Sequence, residues 1–204
     1  HLGRGDAFGP AKQGYDFAAE INGAHLPGKY RVTGRSDLKP KPDQFRTDFE
    51  ADLCAQFISE ESDKPFFLML SPYAVHIPLA GKSKLVEKYK ARAKERGRGL
   101  PHPVYAAMVE EVDALVGRVV DEIDAQGLTD NTMIVFTSDH GDLRGEHHRQ
   151  NKGVPWEGSA RIPFLVYYPS KIKPKTVVNR ALTSVDFCPT LFSLLGKDVN
   201  VDFH

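Results

Sequence analysis

Four consecutive apolar residues, Met133, Ile134, Val135 and Phe136, run straight into Thr137-Ser138-Asp139-His140-Gly141. A short apolar run without alternation is the pattern of a strand buried on both faces, which places the chain in the α/β class. A carboxylate and an imidazole at the C-terminal end of such a strand stand where open α/β sheets bind ligands. Both can bind a metal once the carboxylate is ionised and the imidazole neutral. Lys152 follows in a glycine-containing loop, which suits an anion. Taken alone, Asp-His-Gly after a strand reads more readily as an Asp-capped turn. The crowding of polar and charged groups into one connection after a buried strand tips the reading toward a site.

Two further apolar runs lie at 66–70 and 164–168 and are read as central strands, parallel or mixed with 133–136. Between the first two runs, residues 104–126 carry Met108, Val112, Leu115, Val116, Val119 and Ile123 on one stripe, with Glu110, Glu111, Asp113, Arg118, Asp121 and Glu122 on the other faces. Gly127 is a natural stop. Strand, helix and strand in this order suggest a right-handed crossover. Residues 43–59 form a second amphipathic helix through Phe45, Phe49, Leu53, Phe57 and Ile58. A last helix is expected over 187–195, capped by Asp186 and stopped by Gly196. Residues 1–44 read mostly as loop, with a short strand near Asp16 and Phe17. Seven Lys or Arg between Lys84 and Arg98 read as a solvated helical face, with electrostatic guidance of anionic substrates as the alternative.

With 204 residues the chain can bury a real core, and 27 basic against 27 acidic residues give no global field for nucleic acid. No apolar run reaches membrane-spanning length. Two cysteines, Cys54 and Cys188, are too few for a disulfide framework and are expected to be buried free thiols.

The ordered set Ser138-Asp139-His140-Gly141, Gly145-Glu146-His147, Lys152 and Glu157-Gly158-Ser159-Ala160-Arg161-Ile162-Pro163 closely resembles the sulfatases of the alkaline phosphatase superfamily. His1-Leu2-Gly3 resembles the end of that family's Gly-Lys-Trp-His-Leu-Gly motif, and His76, in a loop after a Pro-Phe-Phe-Leu run, resembles its sulfate-contacting His. The Asp-His pair resembles the variant found in iduronate-2-sulfatase, choline sulfatase and phosphonate monoester hydrolase relatives. The resemblance implies a three-layer α/β/α sandwich with a mostly parallel central sheet. It implies Asp139 and His140 as metal ligands, Ca2+ as the usual ion, and His76 and Lys152 as sulfate ligands, with Lys152 protonating the leaving oxygen. His1 would support the hydrate of a formylglycine nucleophile. Glu157 and Arg161, four apart, read as a structural ion pair.

The family's Cys-x-Pro-x-Arg motif, first metal-binding Asp pair and Lys-Trp do not occur in these 204 residues, and Cys188-Pro189-Thr190 lacks the spacing and the Arg. The expectation is therefore one partial catalytic domain over 1–204, inactive and weakly metal-binding alone, with the nucleophile outside it. The substrate implied is a small-molecule or carbohydrate sulfate ester, and a periplasmic, secreted or lysosomal setting follows only by resemblance. Two alternatives stand beside this: a phosphonate or phosphate ester hydrolase of the same superfamily, and a non-catalytic anion-binding module.

Overall fold

The computed structural model describes residues 6–33, 35–96 and 102–197. It divides into two compact units, His1–Tyr168 and Pro169–His204.

The core of the first unit is helical. α1 (Arg46–Glu61) and α3 (Pro103–Ala125) pack side by side, and α2 (Ser83–Arg96) lies on α3. Their facing stripes put Phe49, Cys54 and Ile58 of α1 against Met108, Leu115 and Ile123 of α3 in the buried set. Each large apolar side chain so buried contributes about 1.5–3 kcal/mol. α3 starts with Pro103 in its first turn, where the missing N–H costs nothing, and stops at Gly127. Gly127 takes φ +68°, and the N–H groups of Gly127 and Leu128 donate to Asp124 O and Ile123 O. α2 buries none of its residues, as the solvated reading expects, and is tied to α3 by Lys88 on Glu110 at 2.7 Å.

Charged residues also enter this core, against the sequence reading of Glu111 as a surface residue. Glu111 is 2% exposed and His25 1%, and His25 Nε2 lies 2.7 Å from Glu111 Oε2. The other carboxylate oxygen accepts the backbone N–H of Lys82 at 2.6 Å. One turn into α1, Arg46 Nε donates to Glu50 Oε1 at 2.8 Å, with both side chains buried. Burial pushes the Glu50 carboxyl above its ordinary range, while Arg46 pulls in the opposite direction.

The sheet is smaller than expected. β1 (Glu20–Gly23) and β2 (Tyr30–Thr33) form an antiparallel hairpin, while Asp16 and Phe17 are not in a strand. β3 (Ile134–Thr137) pairs antiparallel with β4 (Phe164–Tyr167), from Ile134 opposite Tyr167 to Thr137 opposite Phe164. Residues 66–70 are not assigned to a strand; their side chains alternate between half-buried and exposed. The described residues thus hold two antiparallel pairs, and a mostly parallel central sheet is not among them.

In the second unit, Thr183 and Asp186 form a capping box: the Thr183 N–H donates to Asp186 Oδ2 at 2.7 Å. Asp186 caps this turn rather than α5 (Phe187–Leu194), which ends at Gly196 with φ +64°. Cys188 is exposed, so the expectation of two buried thiols holds only for Cys54. Burial pushes the Cys54 thiol up to about 12. A thiol reagent at pH 8 is expected to modify Cys188 in the native chain and to reach Cys54 only on unfolding, because the thiolate is the reactive form. Mass-spectrometric mapping of the labelled sites checks this; rapid native labelling of Cys54 would contradict its burial.

Candidate functional site

The turn after β3 is built around Asp139. Its Oδ1 accepts the backbone N–H of His140 at 2.9 Å, and the Ser138 hydroxyl donates to His140 O at 2.8 Å. That leaves Oδ2 of Asp139, whose side chain is 79% exposed, standing 3.4 Å from His140 Nε2. The other imidazole nitrogen, Nδ1, lies 2.7 Å from Gly141 O. A carbonyl only accepts, so in the neutral ring Nδ1 carries the proton and Nε2 the lone pair. A metal-ligating His commonly donates its other ring N–H to a backbone carbonyl in this way. One carboxylate oxygen and one imidazole lone pair are therefore offered together. No group of three or more His, Cys, Asp or Glu able to hold a metal occurs among the described residues.

The loop bearing Lys152 is knotted into the same turn. Gly141 N–H donates to Ser159 O at 2.8 Å, and Leu143 N–H to Asn151 O at 2.8 Å. Asp142 Oδ1 accepts from the N–H groups of Arg144 and Asn151, at 3.2 and 3.1 Å. Gly153 N–H donates to Ser159 Oγ at 3.1 Å. Lys152 thus lies between Asn151, bonded to Asp142 and Leu143, and Gly153, bonded to the Ser159 that also holds Gly141. Its side chain is exposed and has no hydrogen bond or ion pair among the described residues, so the ammonium is available to an anion.

The loop is held in a costly shape. Arg144, His147, His148 and Asn151 all take positive φ, from 49° to 70°, where side chains other than glycine are disfavoured. Leu143, 2% exposed, anchors its start, and the His147 ring packs on Trp156 with centroids 4.4 Å apart. Further along, α4 (Glu157–Ala160) ends in the predicted pair: Arg161 Nη1 donates to Glu157 Oε1 at 2.8 Å. Both side chains are at least 75% exposed, so the pair braces the helix weakly.

His76 is held by a separate set of contacts. Its N–H donates to Tyr73 O at 2.9 Å, its Nδ1 lies 2.8 Å from Ile77 O, and its ring stands 5.4 Å from that of Tyr73. The Asp139-His140 turn and the loop that carries Lys152 are therefore joined by hydrogen bonds, whereas those of His76 stay within its own loop. His1 lies outside the described residues. The buried His25, Arg46, Glu50 and Glu111 were not singled out from the sequence; only Arg46 and Glu50, spaced four apart, carried a local signal.

The family model described as Sulfatase matches residues 7–197. The chain belongs to the sulfatase family. It is 34% identical over 165 residues to a sulfatase from Formosa agariphila, which covers 74% of this chain and 30% of that protein. It is 35% identical over 165 residues to the steryl-sulfatase of Mus musculus, covering 74% of this chain and 25% of that protein. The crystal structure of Ps i-CgsB in complex with k-i-k-neocarrahexaose superposes with a TM-score of 0.81 at 25% identity, covering 98% of this chain and 50% of that one. The chain thus spans under a third of these curated relatives and half of that solved chain. Over this span the likeness fits an alkaline-phosphatase-like α/β fold. No helix among the described residues is long and apolar enough to cross a membrane.

Proposed function

We propose that this chain supplies part of the active site of a sulfuric ester hydrolase, a partial catalytic domain over 1–204, with Asp139 and His140 as ligands of a divalent metal and Lys152 and His76 as the groups that hold the sulfuryl oxygens. The observation that carries the reading is the side-by-side presentation of Asp139 Oδ2 and His140 Nε2, with Nδ1 anchored on Gly141 O. The donor set, one oxygen and one nitrogen, fits a divalent ion. Ca2+ takes about 6–8 oxygen ligands, so these two residues alone would hold it weakly and most positions would fall to water or to residues not in this chain. Bound there, the ion would offset the negative charge of the sulfate ester.

The chain's own residues do the rest. Lys152, exposed and without an ion pair among the described residues, neutralises charge on the transferring group and can give its proton to the leaving oxygen. His76 keeps Nδ1–H on Ile77 O and can contact an anion through Nε2–H when the ring carries both protons. His1 would support the formylglycine hydrate. No Cys-x-Pro-x-Arg occurs in the 204 residues, so the nucleophile would come from sequence outside them. A carbohydrate or small-molecule sulfate ester is the proposed substrate.

The test has a binding arm and a turnover arm. Ca2+ titration of the 204-residue chain, followed by NMR, is expected to shift the resonances of Asp139 and His140 with a Kd of about a millimolar, the weak end for Ca2+ sites. His140→Ala is expected to abolish the shifts. In the full-length protein, Lys152→Ala is expected to lower kcat/KM for a chromogenic sulfate ester by about 100- to 1000-fold, as loss of one charge-stabilising donor does. Shifts that cluster away from residues 138–142, or a Lys152→Ala enzyme of wild-type activity, would refute the assignment.

A further inference from the structure

We infer that Tyr73, seated on the buried Arg46–Glu50 pair, is the positioning residue for His76: it fixes the tautomer and direction of the imidazole without itself touching the anion. The inference rests on the proposed role of His76 as a sulfate contact.

Tyr73 acts on His76 at three points. Its carbonyl accepts the His76 N–H at 2.9 Å. Its ring forms a wall 5.4 Å from the imidazole, tilted by 52°. Its hydroxyl donates to Ile77 O, the same oxygen that lies 2.8 Å from His76 Nδ1. A carbonyl oxygen has two lone pairs, so it can serve both donors at once. The hydroxyl holds that carbonyl in place, and the held carbonyl requires a proton on Nδ1. In the neutral ring this leaves the lone pair on Nε2; in the cationic ring it leaves the Nε2–H as the donor that Ile77 O does not engage.

Tyr73 has a rigid seat. The Arg46 guanidinium carbon sits 4.8 Å from the centre of the phenol ring, a cation–π contact. Arg46 is itself fixed by Glu50 Oε1 at 2.8 Å and by Gly23 O at 3.1 Å, and the side chains of the Arg46–Glu50 pair are only 8% and 5% exposed. The backbone N–H of Tyr73 faces the Glu50 carboxylate and favours its ionised form. A buried pair of this kind is weak evidence for stability, since an apolar replacement of equal volume often serves as well. As the floor under a residue that must hold a fixed direction, it has a reason to be there.

The experiment compares the wild-type chain with Tyr73→Phe and Tyr73→Leu by 15N NMR of the imidazole rings. Wild-type His76 is expected in the Nδ1–H tautomer when neutral. Tyr73→Phe is expected to release a measurable population into the Nε2–H tautomer, and Tyr73→Leu a larger one. The His140 ring, held on Gly141 O by an independent contact, is expected not to change. Titration with inorganic sulfate supplies the second readout. Measured at a pH where the His76 ring carries both protons, so that Nε2–H is the donor in every variant, Tyr73→Phe should raise the Kd by about 3- to 10-fold through loss of ring direction, the worth of one hydrogen bond. In a His76→Ala background the same substitution should have no further effect, as a double-mutant cycle reads it. An unchanged His76 tautomer in both variants, or an equal change at His140, would overturn the inference. If His76→Ala binds sulfate as the wild type does, the proposed role of His76 fails instead, and the tautomer comparison still decides whether Tyr73 sets the ring.

Discussion

Replacing Glu111 with alanine is expected to destabilise the chain by about 3–5 kcal/mol, the cost of leaving two buried groups that its carboxylate satisfies without a partner. The carboxylate has no exposed surface, and neither does the His25 side chain that it meets at 2.7 Å. Removing it strands His25 Nε2 and the Lys82 N–H together, and takes an acceptor from the Thr47 hydroxyl at 3.5 Å. His25 Nδ1 is already buried without a hydrogen-bond partner among the described residues, so the stranded ring would have none at either nitrogen. Glu111→Gln keeps an oxygen for Lys82 N–H but turns a neutral amide toward His25. It is expected to cost about 1–3 kcal/mol, in the range for one unsatisfied buried polar group. Urea unfolding of the three proteins measures both values. A Glu111→Ala chain within about 1 kcal/mol of wild type would mean that the pair is not buried as the structure has it.

The same residue shows where sequence reading stops. The apolar stripe of α3 was legible because its period is local: Met108, Leu115 and Ile123 are all buried, as their spacing expects. Glu111 sits among charged neighbours on the same helix and looks like one more solvated acid. Its partner lies 86 positions away, in a segment that reads as loop. No local pattern encodes that pairing. The β1–β2 hairpin was missed for a related reason, because its strands are four residues long and its turn depends on glycine conformation. Gly23 at φ +114° and Gly28 at φ +65° make the reversal possible, and a Cβ on Gly23 would fall 2.3 Å from Lys29 O.

The apolar runs fared unevenly. Residues 133–136 and 164–168 gave strands displaced or shortened by one residue, but the expectation of strands buried on both faces is not met: among the described residues β3 and β4 pair only with each other, and Phe136, Phe164, Leu165 and Tyr167 are exposed. Residues 66–70 have strand composition and alternating exposure but no ladder, since composition prepares a strand and only a partner makes one. The Asp139-His140 turn was legible because a strand end followed by a crowded polar connection is itself a local signal. The positions of the two donor atoms were not, because they depend on which side-chain atoms the backbone of the turn has already engaged.

That dependence makes Gly141 the position where a single methyl group is expected to do most harm to the site. A Cβ built there would lie 2.3 Å from Gly158 O and 3.0 Å from Arg161 O, and both are backbone atoms. Neither can swing aside. The Gly141 N–H donates to Ser159 O at 2.8 Å, so the two segments must part at the point where they are joined. Opening it moves the carbonyl on which His140 Nδ1 rests and loosens the link to the Lys152 loop. Gly141→Ala is expected to cost about 1–3 kcal/mol through overpacking. It should also remove the Ca2+-dependent NMR shifts at Asp139 and His140. Gly158→Ala is the control within the same knot. Its Cβ would meet Glu146 Oε2 at 2.3 Å, the far end of a side chain that can rotate into solvent. Its cost is expected to stay within about 0.5 kcal/mol, the range of ordinary surface substitutions. If the two variants prove equally stable and bind Ca2+ alike, the close approach of Gly141 to the 158–161 backbone is not what holds the donor pair in place.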